Sequence, residues 1–448
     1  MTAAPPEPVS GATALGTSSS EGSPGSSRRT AWSLTGLLVG LYVLSASDKA
    51  VFGLIAQPLH DEIGLSSSQI GFTGSAFFLA YAAGSFFTGP LNRMMALKWS
   101  IAILAIAWGA VMLPLVLWAT FTVLLLSRVA LGITEGPISA LLHTAAYSWH
   151  APARRGLPGA LITSGSAIAK MLVVPALAVV LVNYGWRATI IVLAGATVVW
   201  SIPWLMTWRP GPHLATGEQQ QIAETVTVPW RRILTTRTFV GCMFVAISAY
   251  VLITVVLTWL PSYFEIGLGY SRLQAGSMFA VPSVVGLVTL IGGSLLSDRA
   301  VARGVSIRLV RIILPCAGVI VSGVLLMSLP WLGSAPLAVA AVSLAYGLVI
   351  AIFPLINTAI VETCPPAQIA GTLGAFLAIQ AIGGVIGPWA TGFILDSAAS
   401  KVDGFTTAFQ LIGLATAVCA VVAIIVVDPV RDRLSPSGRP SLPDERGK

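Results

Sequence analysis

Residues 31–58 read AWSLTGLLVGLYVLSASDKAVFGLIAQP, an apolar stretch broken past its middle by the adjacent charges Asp48 and Lys49. A helix that crosses a bilayer needs about 20 apolar residues, and this stretch meets that length with two charges left inside it. Five more segments pass the same test near 70–91, 98–118, 121–147, 157–182 and 186–208, and six follow near 237–263, 271–297, 306–329, 335–361, 368–394 and 405–428. Composition agrees. Of 448 residues 55% are hydrophobic and only 9% are Asp, Glu, Lys or Arg, with mean hydropathy +0.86. A soluble domain carries about 25% charge, so a soluble enzyme, a disordered chain and a disulfide scaffold are excluded. The expected fold is an all-α membrane protein of twelve spans.

The longest polar interval, 209–236, holds Arg209, Pro210, Gly217 and the Arg231–Arg232 pair. It divides the chain into a helical bundle over 31–208 and a second over 237–428, joined by a cytoplasmic linker. Residues 1–30 and 429–448 are expected to be polar cytoplasmic tails, the first lacking the apolar core of a signal peptide. With both tails inside, 19 of the 25 Lys and Arg fall on the inner side and 3 on the outer, while Lys49, Arg128 and Lys170 lie within spans. That is the positive-inside bias of a multi-pass protein in the inner (plasma) membrane. It accounts for the net charge of +8 without a nucleic-acid partner. The scattered cysteines, Cys242, Cys316, Cys364 and Cys419, show no metal-ligand spacing. Neither metal nor cofactor is expected, and the protein is expected to be a monomer in the lipid bilayer. The turn after span 2 reads Leu91-Asn92-Arg93, and the loop after span 8 contains Asp298-Arg299. Such a recurrence marks two pseudo-symmetric six-helix halves.

Several ordered motifs carry a family resemblance: Ser47-Asp48-Lys49 in span 1, Ile63 to Gly71, Ser127-Arg128 through Glu135-Gly136 in span 4, and Tyr184-Gly185-Trp186-Arg187 before span 6. Gly371-Thr372 and Gly383-Gly384 through Gly387-Pro388 complete the set. In these the chain resembles the major facilitator superfamily, and within it the anion:cation symporter branch, over about residues 31–428. The resemblance implies import of an organic anion (a carboxylate, sugar acid, or aromatic or dicarboxylic acid) with protons. Departures from the family pattern are Asn92 for Asp, Met95 for Gly, Lys49 for Arg, Lys170 for a small residue, and Ala381 for Asn with Gln380 beside it.

A charge at mid-bilayer is costly enough to demand a partner or a role. Five lie well inside spans: Asp48, Lys49, Arg128, Glu135 and Lys170. Asp48 and Glu135 are the candidate proton carriers. Lys49 and Lys170 are the candidate anion holders, with Arg128 tuning the carboxylates electrostatically. Arg128 and Glu135, seven residues apart, share a helix face at a separation of about 10.5 Å, too far to pair. Asp48 and Lys49 stand ~100° apart and serve different neighbours. Ionised, the five sum to +1; with both carboxylates protonated they sum to +3, so proton loading favours an anion. Lys170, a second deep cation, suits a substrate with two anionic groups. Tyr42, Tyr81, Tyr250, Asn357 and Gln380 are candidate substrate contacts, while Arg93, Asp298 and Arg299 are candidate gating residues. His143, Thr254, Trp259 and Thr358 are weighed as lining residues and read rather as packing. No HExxH, nucleophile triad or nucleotide loop occurs, which argues against an enzyme or an ATP-driven pump. The alternative within the same fold is a drug or metabolite antiporter, against which span 5 has Val174-Pro175 in place of a glycine-proline pattern.

Overall fold

Prolines, glycines and capping side chains divide this apolar chain into helices. The computed structural model describes residues 24–150, 156–212, 228–361, 363–364 and 368–432. The first span is α1 (Pro24–Ile63), ending at Gly64 with φ 71°. The second is α2 (Ser67–Phe86), started by a Ser66–Gln69 capping box, followed by the short α3 (Thr88–Met94). α4 (Leu97–Val111) and α5 (Leu113–Leu117) form the third. α6 (Phe121–Glu135) and α7 (Ile138–Trp149), hinged at Gly136-Pro137, form the fourth. Spans five and six run through α8 (Gly156–Ile168), a π-helical turn (Ala169–Val173) and α9 (Val174–Thr207). Beyond the short α10 (Trp230–Leu234) come α11 (Arg237–Ser262), α12 (Arg272–Met278) with α13 (Ala280–Ala302), and α14 (Leu314–Met327). The last three spans are α15 (Ala335–Ile350) with α16 (Ile352–Val361), α17 (Ile369–Gln380) with α18 (Ile382–Ser397), and α19 (Lys401–Val426).

Ten helical stretches among the described residues are long and apolar enough to cross a membrane. One of them, Leu157–Thr207, is 51 residues long and holds two spans. The chain turns within it at Gly185, whose φ of 82° an L side chain would strain to adopt. α2 is not among the ten, yet it is a 20-residue helix packed between α6 and α18. The arrangement is consistent with twelve spans. Leu79, Val199 and Ile425 are 59, 65 and 70% exposed on outward faces, apolar surface that suits contact with lipid.

Two expectations change. The first helix starts at Pro24, inside the stretch expected to be tail. Asp298 and Arg299 lie in the final turns of α13, not in a loop, because no breaker intervenes before Gly304, which takes φ 83°. Both side chains are exposed. The Asn92 and Arg93 side chains and Arg154-Arg155 lie outside the described residues.

Among the described residues, most of the hydrogen bonds and ion pairs that tie the two halves together cluster at the end of the bundle opposite Pro24 and Val426. Asp396 of α18 accepts from the Ser67 and Ser68 amides at 3.0 and 2.7 Å, capping the open start of α2. Lys401 donates to both Asp396 and Ser67 Oγ. The Trp389 amide donates to Ser75 Oγ, and Arg272 pairs with Asp61 at 3.4 Å. Backbones touch here as well: a Cβ on Gly71 would fall on the Pro388 carbonyl. Asp396→Ala removes the acceptor for two amides and an ammonium, so this end should open more often. In a cysteine-replaced background, a Ser75→Cys reporter, 4% exposed in the closed arrangement, should react several-fold faster with an impermeant thiol reagent; unchanged labelling would exclude a latch.

Candidate functional site

The site is assembled by close approach of α2 to α6. A Cβ on Gly132 would stand 2.5 Å from the Phe77 carbonyl, and one on Gly136 would fall on the Tyr81 carbonyl and the Ser85 amide. Two small residues four apart let the backbones touch. The faces bearing Phe77 and Tyr81 therefore press onto the face bearing Arg128 and Glu135. Ser85 Oγ donates to the Gly136 carbonyl at 3.0 Å and fixes the register.

Across from this pair, α1 delivers Lys49. Its Nζ lies 2.8 Å from Glu135 Oε2, donates to Ser45 Oγ at 2.7 Å, and stands 4.9 Å from the Tyr81 ring centre. The Glu135 side chain is fully buried and that of Lys49 is 18% exposed. Ser45 precedes Lys49 by four residues, one helical turn, which is why it can accept. Glu135 Oε1 has no hydrogen-bond partner among the described residues. The carboxylate thus meets the Lys49 ammonium through Oε2, with the Ser45 hydroxyl also acting on it.

Arg128, 2% exposed, has its Cζ 4.3 Å from the Phe52 ring centre and 4.4 Å from that of Phe77. Two aromatic faces supply a cation–π environment in place of a carboxylate contact. It remains within electrostatic reach of Glu135 and Asp48. Asp48, 7% exposed, turns away from Lys49 into a small cavity beside Trp108 and Met112 of span 3 and Ile190 and Ala194 of span 6. The ~100° step between neighbouring residues points it into the interior of the first half, and its Oδ2 and Trp108 Nε1 both have no hydrogen-bond partner among the described residues.

Lys170 lies in the π-helical turn. Pro175 lacks an amide hydrogen and its ring crowds the carbonyl four residues back, so the turn widens and the Val174 amide donates to Ala169 instead. A second such turn, Leu309–Ile313, precedes Pro315 in the same way. Lys170 Nζ donates to Tyr346 Oη at 2.8 Å, a link from the first half to α15 of the second.

The remaining candidates divide. Tyr42 packs beside span 5, where a Cβ on Gly165 would come within 3.2 Å of its ring. Tyr250 makes edge contact with Phe78 of α2 and is within electrostatic reach of Lys49, Tyr42, Tyr81 and Tyr346. Asn357 Oδ1 and Gln380 Oε1 are buried without a partner among the described residues, so neither oxygen bonds to Lys49 or Lys170 there. Thr254 and Trp259 bond to the backbone of α18 or of their own helix, and His143 to the Ser139 carbonyl, so these three pack. Sequence reading passed over Ser45, Phe52, Phe77 and Tyr346. Ser45 and Phe77 each lie one turn from a flagged residue and were findable by spacing. Tyr346 carries no local signal.

A family model for the Major Facilitator Superfamily matches residues 38–388. The chain belongs to this superfamily. Members of known name are similar along most of their length. The hexuronate transporter of Bacillus subtilis is 24% identical over 402 residues, covering 87% of this chain and 92% of its own. The "Probable sulfoacetate transporter SauU" of Cupriavidus necator is 25% identical, covering 85% and 91%. Among solved structures, a bacterial homologue of the human lysosomal transporter Spinster, inward-facing and unoccupied, superposes with TM-score 0.77 at 16% identity over 93% of this chain and 100% of that one. A D-xylose-proton symporter gives 0.71 at 19% identity over 92% and 99%. The superfamily fold is therefore that of a transporter and not of an enzyme.

Within this superfamily member, the buried Lys49–Glu135 pair also bears on stability. Glu135→Ala strands an ammonium and should cost about 3–5 kcal/mol, read as a lowered Tm in detergent. The Lys49→Met, Glu135→Leu double variant, which removes both charges, should recover most of that loss.

Proposed function

We propose that this superfamily member imports an organic anion, in the class of carboxylates, sugar acids and aromatic or dicarboxylic acids, by proton symport through alternating access. The observation that carries the reading is the 2.8 Å contact between Lys49 and Glu135. While Glu135 is ionised it occupies the cation that would hold a substrate carboxylate. Protonation removes that competitor and frees Lys49, so a proton and an anion each favour the other's binding. Asp48 is the second proton carrier in this scheme, acting from behind α1 through charge and not contact, with Arg128 holding a fixed positive field between the two carboxylates. Tyr42, Tyr81 and Tyr250 offer hydroxyls to a polar substrate, and Asn357 and Gln380 offer side-chain amides from the second half, whose oxygens have no partner among the described residues. The names of the relatives, hexuronate and sulfoacetate transporters among them, support an organic anion.

The closure at the Ser67–Asp396 end supports reading this arrangement as inward-facing, with the tails cytoplasmic, as the bias of basic residues supports, and the chain in the plasma membrane. Rocking of the halves would break the Asp396 and Arg272 contacts and open the other side. Carriage of two protons with a monoanion would move one net charge, worth about 2.3 kcal/mol per 100 mV; one proton would be electroneutral.

Glu135→Gln keeps the shape of the carboxyl and abolishes its charge. In proteoliposomes it should exchange internal for external substrate yet fail to accumulate it under an imposed pH gradient. Normal accumulation by this variant would refute the coupling role of Glu135.

A further inference from the structure

The two buried lysines differ in what surrounds them. Lys49 is neutralised: it has a carboxylate at 2.8 Å and two acceptors on Ser45. Lys170 is as deeply placed, 8% exposed, and among the described residues no carboxylate lies within ion-pairing distance of it. Its bond is to the Tyr346 hydroxyl, a neutral group on a fully buried residue of the opposite half. An ammonium has three hydrogens to donate, and a phenol has one of its own. Lys170 uses one of its three on Tyr346, and the Tyr346 oxygen accepts that bond, leaving the phenol hydrogen to give. No acceptor for the other hydrogens is found among the described residues. Burying an ammonium without a counter-ion carries a penalty of several kcal/mol, and a phenol oxygen offsets only part of it. The position therefore has the chemistry of an anion site: one positive charge and three donor hydrogens within a single hydrogen-bond length of each other. The packing leaves the phenol in place, because its ring lies against Gly286 of α13, where a Cβ would stand 3.5 Å from it.

We infer that Lys170 and Tyr346 form a second anion subsite, and that the substrate is an organic acid bearing two anionic groups. This rests on the anion-transport reading above and names the substrate class within it. One group is held at Lys49, where it must displace Glu135 and so requires a proton. The other is held at Lys170, where nothing charged needs displacing. Because Lys170 belongs to the first half and Tyr346 to the second, an anion bound to both fastens the halves together at mid-depth. A monoanion fills only one of the two positions.

The test uses matched pairs in proteoliposome uptake under a pH gradient: D-glucuronate with D-glucarate, butyrate with succinate, and acetate with sulfoacetate. For the pair the wild type carries best, the dianion is preferred by about tenfold or more, the worth of a charge-assisted hydrogen bond. Lys170→Gln collapses that preference toward unity. Tyr346→Phe, which removes one hydroxyl and keeps the ring, lowers it by several-fold. Thermal unfolding of both variants with wild-type Tm shows that the change is not misfolding, and a preference ratio is unaffected by a smaller active fraction. A wild type that prefers the monoanion, or variants that lose both substrates in equal proportion, overturns the dianion subsite while leaving proton-coupled anion transport standing. A wild type that takes up no member of any pair overturns the transport reading together with it.

Discussion

An ammonium and a carboxylate held 2.8 Å apart in a medium that cannot solvate either set the terms for the rest of this molecule. Neither charge is tolerable alone at that depth, where the desolvation penalty is several kcal/mol per ion, so each element that positions one of them is constrained by the other. Gly132 and Gly136 bring α6 onto α2, which turns Glu135 toward α1. Ser45, one turn before Lys49, takes a second ammonium hydrogen, and Tyr81 presents its ring to the same group. Arg128, two turns before Glu135, takes a different solution to the same problem between Phe52 and Phe77. The same pair is chemically reversible: one proton on the carboxylate dissolves the attraction and leaves a cation in need of an anion.

The second organising constraint is closure. Toward one end the halves meet through backbone-to-backbone contact of α2 with α18 and through the capping of α2 by Asp396, and α1 packs on α11 as well. Helix starts have amide hydrogens with no partner of their own, so a carboxylate from the other half satisfies them only while the halves are together. Under the proposed alternating access, such a contact would be specific in geometry and would break as the halves rock apart. Lys170–Tyr346 is a polar link between the halves made by one of the five buried charges itself. It joins the closure of the molecule to the site that would hold the substrate.

Much of this was legible in the residues. The shortage of charge and the length of the apolar segments identified the spans, and a cation count along the chain indicated orientation. Helical geometry alone kept Arg128 from pairing with Glu135 and sent Asp48 and Lys49 to different neighbours. Where reading by segment failed, the cause was local continuity: α1 extends back to Pro24 and α13 runs through Asp298 and Arg299, because hydropathy ends where polar residues begin while a helix ends only at a breaker.

The sequence by itself determined which charges are buried, since apolar neighbours on both sides leave them nowhere else to go, and it determined the membrane fold that follows. Only the tertiary structure decided their pairing. That Glu135 meets Lys49, that Asp48 faces Trp108, and that Lys170 meets a tyrosine 176 residues away depend on how helices approach and rotate against one another. No spacing along one helix encodes a contact made across two.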